Sequence, residues 1–303
     1  MQKTWVELAV EIHPSLVEAT SSFLIEQGSP GVIQEELAGP ASRTRERIIA
    51  YFSSNRSFEA KRKKIRGFLI SISQLHPGTF TFHHRVIKDA KWAEAWKSNF
   101  KPLHVTHRLV IKPPWEEYPE QKGELVIEID PGMAFGTGTH PSTQMCLQAL
   151  EELILSSPHW PSILDVGTGS GILAIAARKL GAKQVSAIDI DPVAIDCARK
   201  NATTNDINHG IDFRAGSLNG LRRAFDIVVA NLLPQELLNI APFLPKRMSP
   251  GGTLIISGLL RGQKMEVTSA FAKQGLEVLR SRESKGWACF VMRQKDGKKS
   301  GRK

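Results

Sequence analysis

With 303 residues, 41% of them hydrophobic and 23% charged, the chain has the composition of a globular protein long enough for two domains with separate cores, which excludes a disordered or fibrous polypeptide. No stretch approaches the roughly 20 apolar residues of a membrane helix, and Met1 to Val10 lacks a basic-then-apolar signal pattern, so a cytoplasmic protein without membrane contact is expected. The net charge of +10 favours anionic partners but says nothing of the fold. Half of it sits in Arg293 to Lys303, where six basic residues stand against one acid, and this segment reads as a disordered basic tail. Cys146, Cys197 and Cys289 are scattered and odd in number, without metal-ligand spacing, so they read as reduced core residues and no metal site is expected.

From Thr4 to about Lys88 the predicted order is strand, helix, strand, strand, helix, strand. Trp5 to Val10 alternates as a strand does, and Pro14 to Gln27 opens at a proline and stops at Gly28 like a helix. Val32 to Leu37 and Arg47 to Phe52 are β-like, Ser57 to Leu75 is helical, and Thr79 to Ile87 is β-branched and aromatic. This β-α-β-β-α-β order is the ferredoxin-like plan. The run Lys61-Arg62-Lys63-Lys64-Ile65-Arg66 reads as the solvated face of an amphipathic helix rather than a nucleic-acid contact, because it lacks interleaved aromatics. His83-His84 reads as one inward and one outward strand residue, and His104 and His107 point to opposite faces, which argues against joint metal ligation.

A short linker helix follows, with Trp92 and Trp96 one turn apart on a packing face that Phe100 continues. Pro113-Pro114-Trp115 turns the chain before a strand from Glu124 to Ile129. Strands are then predicted near 162–166, 184–189, 211–214, 225–230, 252–257, 276–283 and 287–292, with helices between the first five. Such alternation predicts a parallel, doubly wound sheet with right-handed crossovers. The last two strands, joined only by Glu283 to Gly286, must form an antiparallel hairpin at one edge. The expectation is an α/β fold: a seven-stranded, mostly parallel Rossmann-like sheet behind a smaller N-terminal α+β domain. The predicted boundaries are 1–88 for the small domain, 89–102 for the linker helix, 103–292 for the large domain and 293–303 for the tail.

The chemistry concentrates in three places. Ile163-Leu164-Asp165-Val166 runs as a strand into Gly167, Gly169 and Gly171, and a helix opens at Ile172. Glycine lacks a Cβ, so the chain turns sharply there and lets a ligand approach the main chain. Asp189, 18 residues after the last glycine, ends the next strand where a carboxylate can accept both ribose hydroxyls. The spacing is G-x-G-x-G, not the G-x-G-x-x-G/A that seats a pyrophosphate on a helix N-terminus. It suits a ligand such as S-adenosylmethionine. The second place is Asp130 to Thr143, with glycines at 132, 136 and 138 and hydroxyls from Thr139 to Thr143, ahead of a helix over Gln144 to Leu155. The third is Asn231-Leu232-Leu233-Pro234, which runs off a strand end into a turn.

These residues resemble class I S-adenosylmethionine-dependent methyltransferases. Together with Ala134-Phe135-Gly136-Thr137-Gly138-Thr139-His140-Pro141, Trp92-x3-Trp96-Lys97 and the small N-terminal domain, the chain is similar to the bacterial methyltransferases that modify large-subunit ribosomal protein eleven. The similarity covers nearly everything but the tail; Ser142 departs from the threonine expected there. The resemblance implies methylation of lysine side chains and an N-terminal amine of that ribosomal protein, up to trimethylation, by a monomer whose small domain recognises the substrate. It also implies cofactor contacts from Thr143, Gly167, Asp189 and Asn231.

The chemistry follows independently. Methyl transfer from a sulfonium is an in-line displacement, so the protein must chiefly align nitrogen, methyl and sulfur. A lysine with a pKa near 10.4 has no lone pair at neutral pH until burial beside a cation expels its proton. The Asn231 side-chain oxygen and the Leu232 carbonyl are candidates to accept the amine hydrogens, as in the Asn-Pro-Pro-aromatic turn that this segment resembles, with Leu232-Leu233 replacing its first proline. Phe135 is the candidate aromatic wall, and His140 is either a proton acceptor or a helix cap. Three other readings stand beside this one: an RNA or DNA base N-methyltransferase, which the basic charge and the Asn231 turn also fit; an NAD-linked oxidoreductase; and a non-enzymatic ribosome-assembly binder that retains the cofactor site. Contact with ribosomal RNA is a separate reading that the sequence leaves open.

Overall fold

The computed structural model describes residues 5–13, 16–29, 32–35, 45–54, 58–73, 80–87, 100–130 and 138–295. Trp92, Trp96, Gly132, Phe135 and Gly136, most of the predicted linker helix and the tail beyond Lys295 lie outside these residues. The chain forms two compact units, with the first break between Lys101 and Pro102.

In the first unit β1 (Trp5–Ile12), α1 (Val17–Glu26), β2 (Val32–Glu35), β3 (Glu46–Ser53), α2 (Phe58–Ser73) and β4 (Thr81–Ile87) follow in sequence. The strands pair antiparallel in the order β2-β3-β1-β4. Successive strand side chains face opposite ways, so Val6, Leu8, Val10 and Ile12 of β1 and Ile48, Ala50 and Phe52 of β3 share one face and pack with Leu24, Ile65 and Leu69 of the helices. Ile65 and Leu69 of α2 are buried while Lys63, Lys64 and Arg66 are exposed, so the basic run lies on the solvated side of an amphipathic helix.

The second unit opens with a small sheet of β5 (Leu103–His104), β6 (Leu109–Lys112) and β7 (Leu125–Glu128). After it come α3 (Pro141–Ser156), β8 (Ser162–Val166), α4 (Ile172–Lys179), β9 (Gln184–Asp189), α5 (Pro192–Thr204), β10 (Ile211–Ala215), β11 (Phe225–Asn231), α6 (Pro234–Ile240), β12 (Met248–Leu260), α7 (Lys264–Lys273), β13 (Leu276–Ser284) and β14 (Trp287–Gln294). The seven strands from β8 onward form one sheet in the order β10-β9-β8-β11-β12-β14-β13. All neighbours run parallel except at β14, which is antiparallel to both β12 and β13. The terminal hairpin turns on Lys285 at φ 46 and Gly286 at φ 83, the two left-handed residues of a turn whose twist matches the strands.

β8 is buried along its whole length. Its alternation divides the interior: Ile163 joins a core with α3, α4 and the small sheet, and Leu164 joins the opposite core with α6 and α7. All three cysteines are buried thiols.

β14 runs to Gln294, so the tail expected from Arg293 begins inside a strand, and two other elements of the second unit differ by three residues or more from the sequence reading. α3 starts at Pro141 rather than Gln144, because the proline supplies a helical φ at the first position and His140 caps it. β12 spans Met248–Leu260 rather than 252–257, since pairing with β14 resumes at Leu259 and Leu260 beyond a bulge. The chain order sends β9 and β10 to one side of β8 and β11 and β12 to the other. The sheet therefore reverses direction between β8 and β11, the place where open α/β sheets form a crevice at their carboxyl ends.

Candidate active site

Register places the sequence-predicted residues in one row. Val166 of β8 pairs with Ile188 of β9 on one side and with Ala230 of β11 on the other. The next residue of each strand is Gly167, Asp189 and Asn231 respectively, so backbone, carboxylate and carboxamide meet at the same edge of three parallel strands.

Gly167 sits at φ 72, and a Cβ there would run into Leu232 Cδ2, so a side chain would strain the turn and collide with the Leu232 side chain. The loop is pinned from below. The amides of Gly167 and Thr168 donate to the Ile188 carbonyl at 2.9 and 3.0 Å, and Gly169 N donates to Asp189 Oδ2 at 3.0 Å. Asp189 Oδ1 accepts from Asp191 N at 3.0 Å. Each carboxylate oxygen has further lone pairs, so Asp189 is held in place and still able to take two hydroxyls. Asp191 caps α5 by accepting from Val193 N at 2.8 Å.

Beneath the loop lies Asp165, fully buried. Its Oδ2 accepts from Thr168 Oγ1 at 2.6 Å. Burial, opposed by the Thr168 hydrogen bond and reinforced by the charge of Asp189, pushes its pKa up to about 7.

Asn231 closes β11. Its Nδ2 donates to Thr143 Oγ1, in the first turn of α3, at 3.2 Å, while its Oδ1 is buried with no hydrogen-bond partner among the described residues. A buried amide oxygen without a donor costs about 1–3 kcal/mol, a cost that a ligand N–H would remove. Leu232 N donates to the Ser257 carbonyl at 3.1 Å. The next residue on β12, Gly258, has φ 90 and would bring a Cβ within 2.3 Å of the Leu232 oxygen. The interruption of β12–β14 pairing between Ile256 and Leu259 lets the Leu232 turn lie this close, a use of irregular strands common near active sites. Leu233 N donates to Glu236 Oε2 at 3.2 Å, which fixes the turn into α6.

His140 lies apart from this row. Its Nδ1 accepts from Ser142 N at 3.2 Å and meets Ser142 Oγ at 2.6 Å, and its ring packs edge-on to Trp287 at 4.5 Å. Burial lowers its pKa to about 4. The imidazole is neutral, and the nitrogen that a base would use is engaged at the helix start.

Three features escaped the sequence reading. Gly258 backs the Leu232 turn. Ile190 and Val193, just past Asp189, are 78% and 68% exposed, apolar surface of the kind an aromatic base covers. The apolar residue directly after the strand-end acid was their one available signal. An adenosyl ligand fits this arrangement: hydroxyl acceptors at Asp189, an acceptor at Asn231 without a donor among the described residues, and a buried acid, Asp165, beneath the glycine loop.

The chain matches the ribosomal protein L11 methyltransferase (PrmA) family over residues 4–295. It is 39% identical over 304 residues to the ribosomal protein L11 methyltransferase of Pelobacter propionicus, covering 97% of this chain and 98% of that one. With the protein of the same name from Symbiobacterium thermophilum it shares 45% over 208 residues, 68% of this chain and 67% of that one. Among solved structures, the ribosomal protein L11 methylase of Lactobacillus delbrueckii subsp. bulgaricus superposes with a TM-score of 0.61 at 34% identity, covering 65% of this chain and all of that chain (100%). A doubly wound sheet whose crevice is furnished in this way, matched by relatives along its length, identifies the chain as a member of the ribosomal protein L11 methyltransferase family, S-adenosylmethionine-dependent protein methyltransferases.

Proposed function

We propose that the enzyme methylates amine nitrogens of ribosomal protein L11, on lysine side chains and the N-terminal amino group, continuing to the trimethyl stage. The observation that carries this reading is the buried Asn231 Oδ1, without a donor among the described residues, set beside Thr143 and in line with Gly167 and Asp189. S-adenosylmethionine supplies an electrophilic methyl carried on a sulfonium.

Asp189 takes the ribose hydroxyls, Ile190 covers the base, and the backbone of Gly167, Gly169 and Gly171 lines the sulfur-bearing chain. Thr143 orients the Asn231 amide. Asn231 Oδ1 then accepts one amine hydrogen and the Leu232 carbonyl a second, which leaves the nitrogen lone pair aimed at the methyl carbon. In a dehydrated crevice the ammonium form is disfavoured, so the proton leaves to water before transfer. His140 serves as the cap of α3 rather than as the base, and Phe135 remains the proposed wall against the amine. Residues 1–88 are assigned to substrate recognition, 89–102 to a linker helix and 103–292 to catalysis, in a cytoplasmic monomer that also contacts ribosomal RNA.

The test is incubation with methyl-labelled donor and a mixture of ribosomal proteins and RNA, followed by mass mapping. Label in one small ribosomal protein, at lysines and the amino terminus, is expected. Label in RNA would overturn the reading.

A further inference from the structure

One face of α5 touches two parts of the chain that are distant in sequence. Ala198 lies under the glycine loop, so close that a Cβ on Gly171 would stand 2.9 Å from its own Cβ. One turn on, Asn201 Nδ2 donates to the Ser170 carbonyl at 2.8 Å. Asn205, which follows the last turn of α5, takes both backbone groups of Glu128: Glu128 N donates to Oδ1 at 2.8 Å, and Nδ2 donates to Glu128 O at 2.6 Å. The same Nδ2 donates to the Asn201 carbonyl at 2.8 Å.

The two carboxamides are 4% and 6% exposed, and their hydrogen bonds run without a break from the glycine loop to the end of β7. Apolar side chains of similar size would fill this space but leave the Ser170 carbonyl and both Glu128 backbone groups without these partners. Buried amides, in contrast, set direction and distance, because any shift leaves a polar group unpaired. What they connect is specific. Ser170 lies inside the G-x-G-x-G turn, and Glu128 stands two residues before Asp130, where the glycine-dense segment leading to Thr143 begins.

We propose that Asn201 and Asn205 form a positioning relay that fastens the glycine loop to the end of β7, so that donor affinity depends on both. This rests on the reading of the glycine loop as the donor site. The residues do not touch the donor; they act through Ser170 and Glu128.

The test is calorimetric titration of the full chain with adenosylhomocysteine, for wild type, Asn201→Ala, Asn205→Ala and the double variant. Ile154→Ala serves as a control, a core truncation at the opposite end of α3 from Thr143. Each single variant is expected to bind about tenfold more weakly. The double variant is expected to bind no more weakly than the worse single one, because both cut the same chain of bonds. Ile154→Ala should lose thermal stability and keep wild-type affinity. Should Asn205→Ala fail to fold by circular dichroism, Asn201→Ala carries the same expectation alone. Wild-type affinity in the folded asparagine variants would overturn the relay, as would an equal loss in Ile154→Ala. Wild-type protein that ignores adenosylhomocysteine would instead refute the donor site itself.

Discussion

Asn231 Nδ2 donates to Thr143 Oγ1 across 3.2 Å, joining the last residue of β11 to the first turn of α3 by a single side-chain bond. The bond decides which way the carboxamide faces: with its nitrogen committed to Thr143, its oxygen is the atom left to accept from the proposed amine. Thr143→Val keeps the shape and removes the acceptor, so the amide is free to turn over. A fall in kcat of about tenfold is expected with little change in substrate KM, since misorientation acts mainly on the reacting geometry. Steady-state kinetics with ribosomal protein L11 checks this, and an unchanged kcat would show that the bond orients nothing.

His140 separates a cap from a base. Burial holds its pKa at about 4, below its ordinary value, so in the folded state the ring stays neutral where the unfolded chain takes up a proton. Its contribution to stability is therefore complete above about pH 6.5 and is lost as the pH falls through about 4. Asn caps as well as His does and does not titrate. Urea denaturation of wild type and His140→Asn is expected to show the wild type losing ground between these limits, while kcat at neutral pH stays within a few-fold. A loss of turnover on the scale of 10²-fold, the usual contribution of general-base catalysis, would return His140 to the chemistry.

Asp165 has the opposite sign. Burial raises its pKa to about 7 in the folded protein, with the charge of Asp189 adding to the effect against the Thr168 bond. The unfolded chain ionises near pH 3.9. The stability this acid contributes is thus complete below the ordinary aspartate range and is lost as the pH rises through about 7. Asp165→Asn is nearly isosteric and removes the titration. Its stability relative to wild type should climb between about pH 4 and pH 7 and then level off, as read by denaturation midpoints. A difference that does not vary with pH would mean that Asp165 ionises as it would in water.

The parts of the site that were legible in the sequence are those whose chemistry is local. Gly167 and Asp189 announce themselves because a turn needs glycine and a strand end presents its acid within one crossover. The hairpin was legible because no crossover fits between Glu283 and Gly286. The pairing of Asn231 with Thr143 spans 88 residues and has no periodicity to betray it; only family resemblance placed both at the donor. Gly258 matters because the Leu232 backbone lies on it, a contact between loop and strand that no spacing encodes. Asn201 and Asn205 read as ordinary polar positions of a helix until the fold brings Ser170 and Glu128 to them. The sequence reading places the start of α3 at Gln144 because the hydroxyl run reads as leading into the helix, although His140 is also weighed there as a cap before Pro141.

The account turns on Asn231 aiming a neutral amine at the methyl carbon. Single-turnover transfer to ribosomal protein L11, with donor prebound at saturation and the product followed by mass, isolates that step from binding and release. Asn231→Ala is expected to slow it by about 10²-fold, the scale on which lost alignment acts. A wild-type rate in that variant, with donor fully bound, would contradict the account.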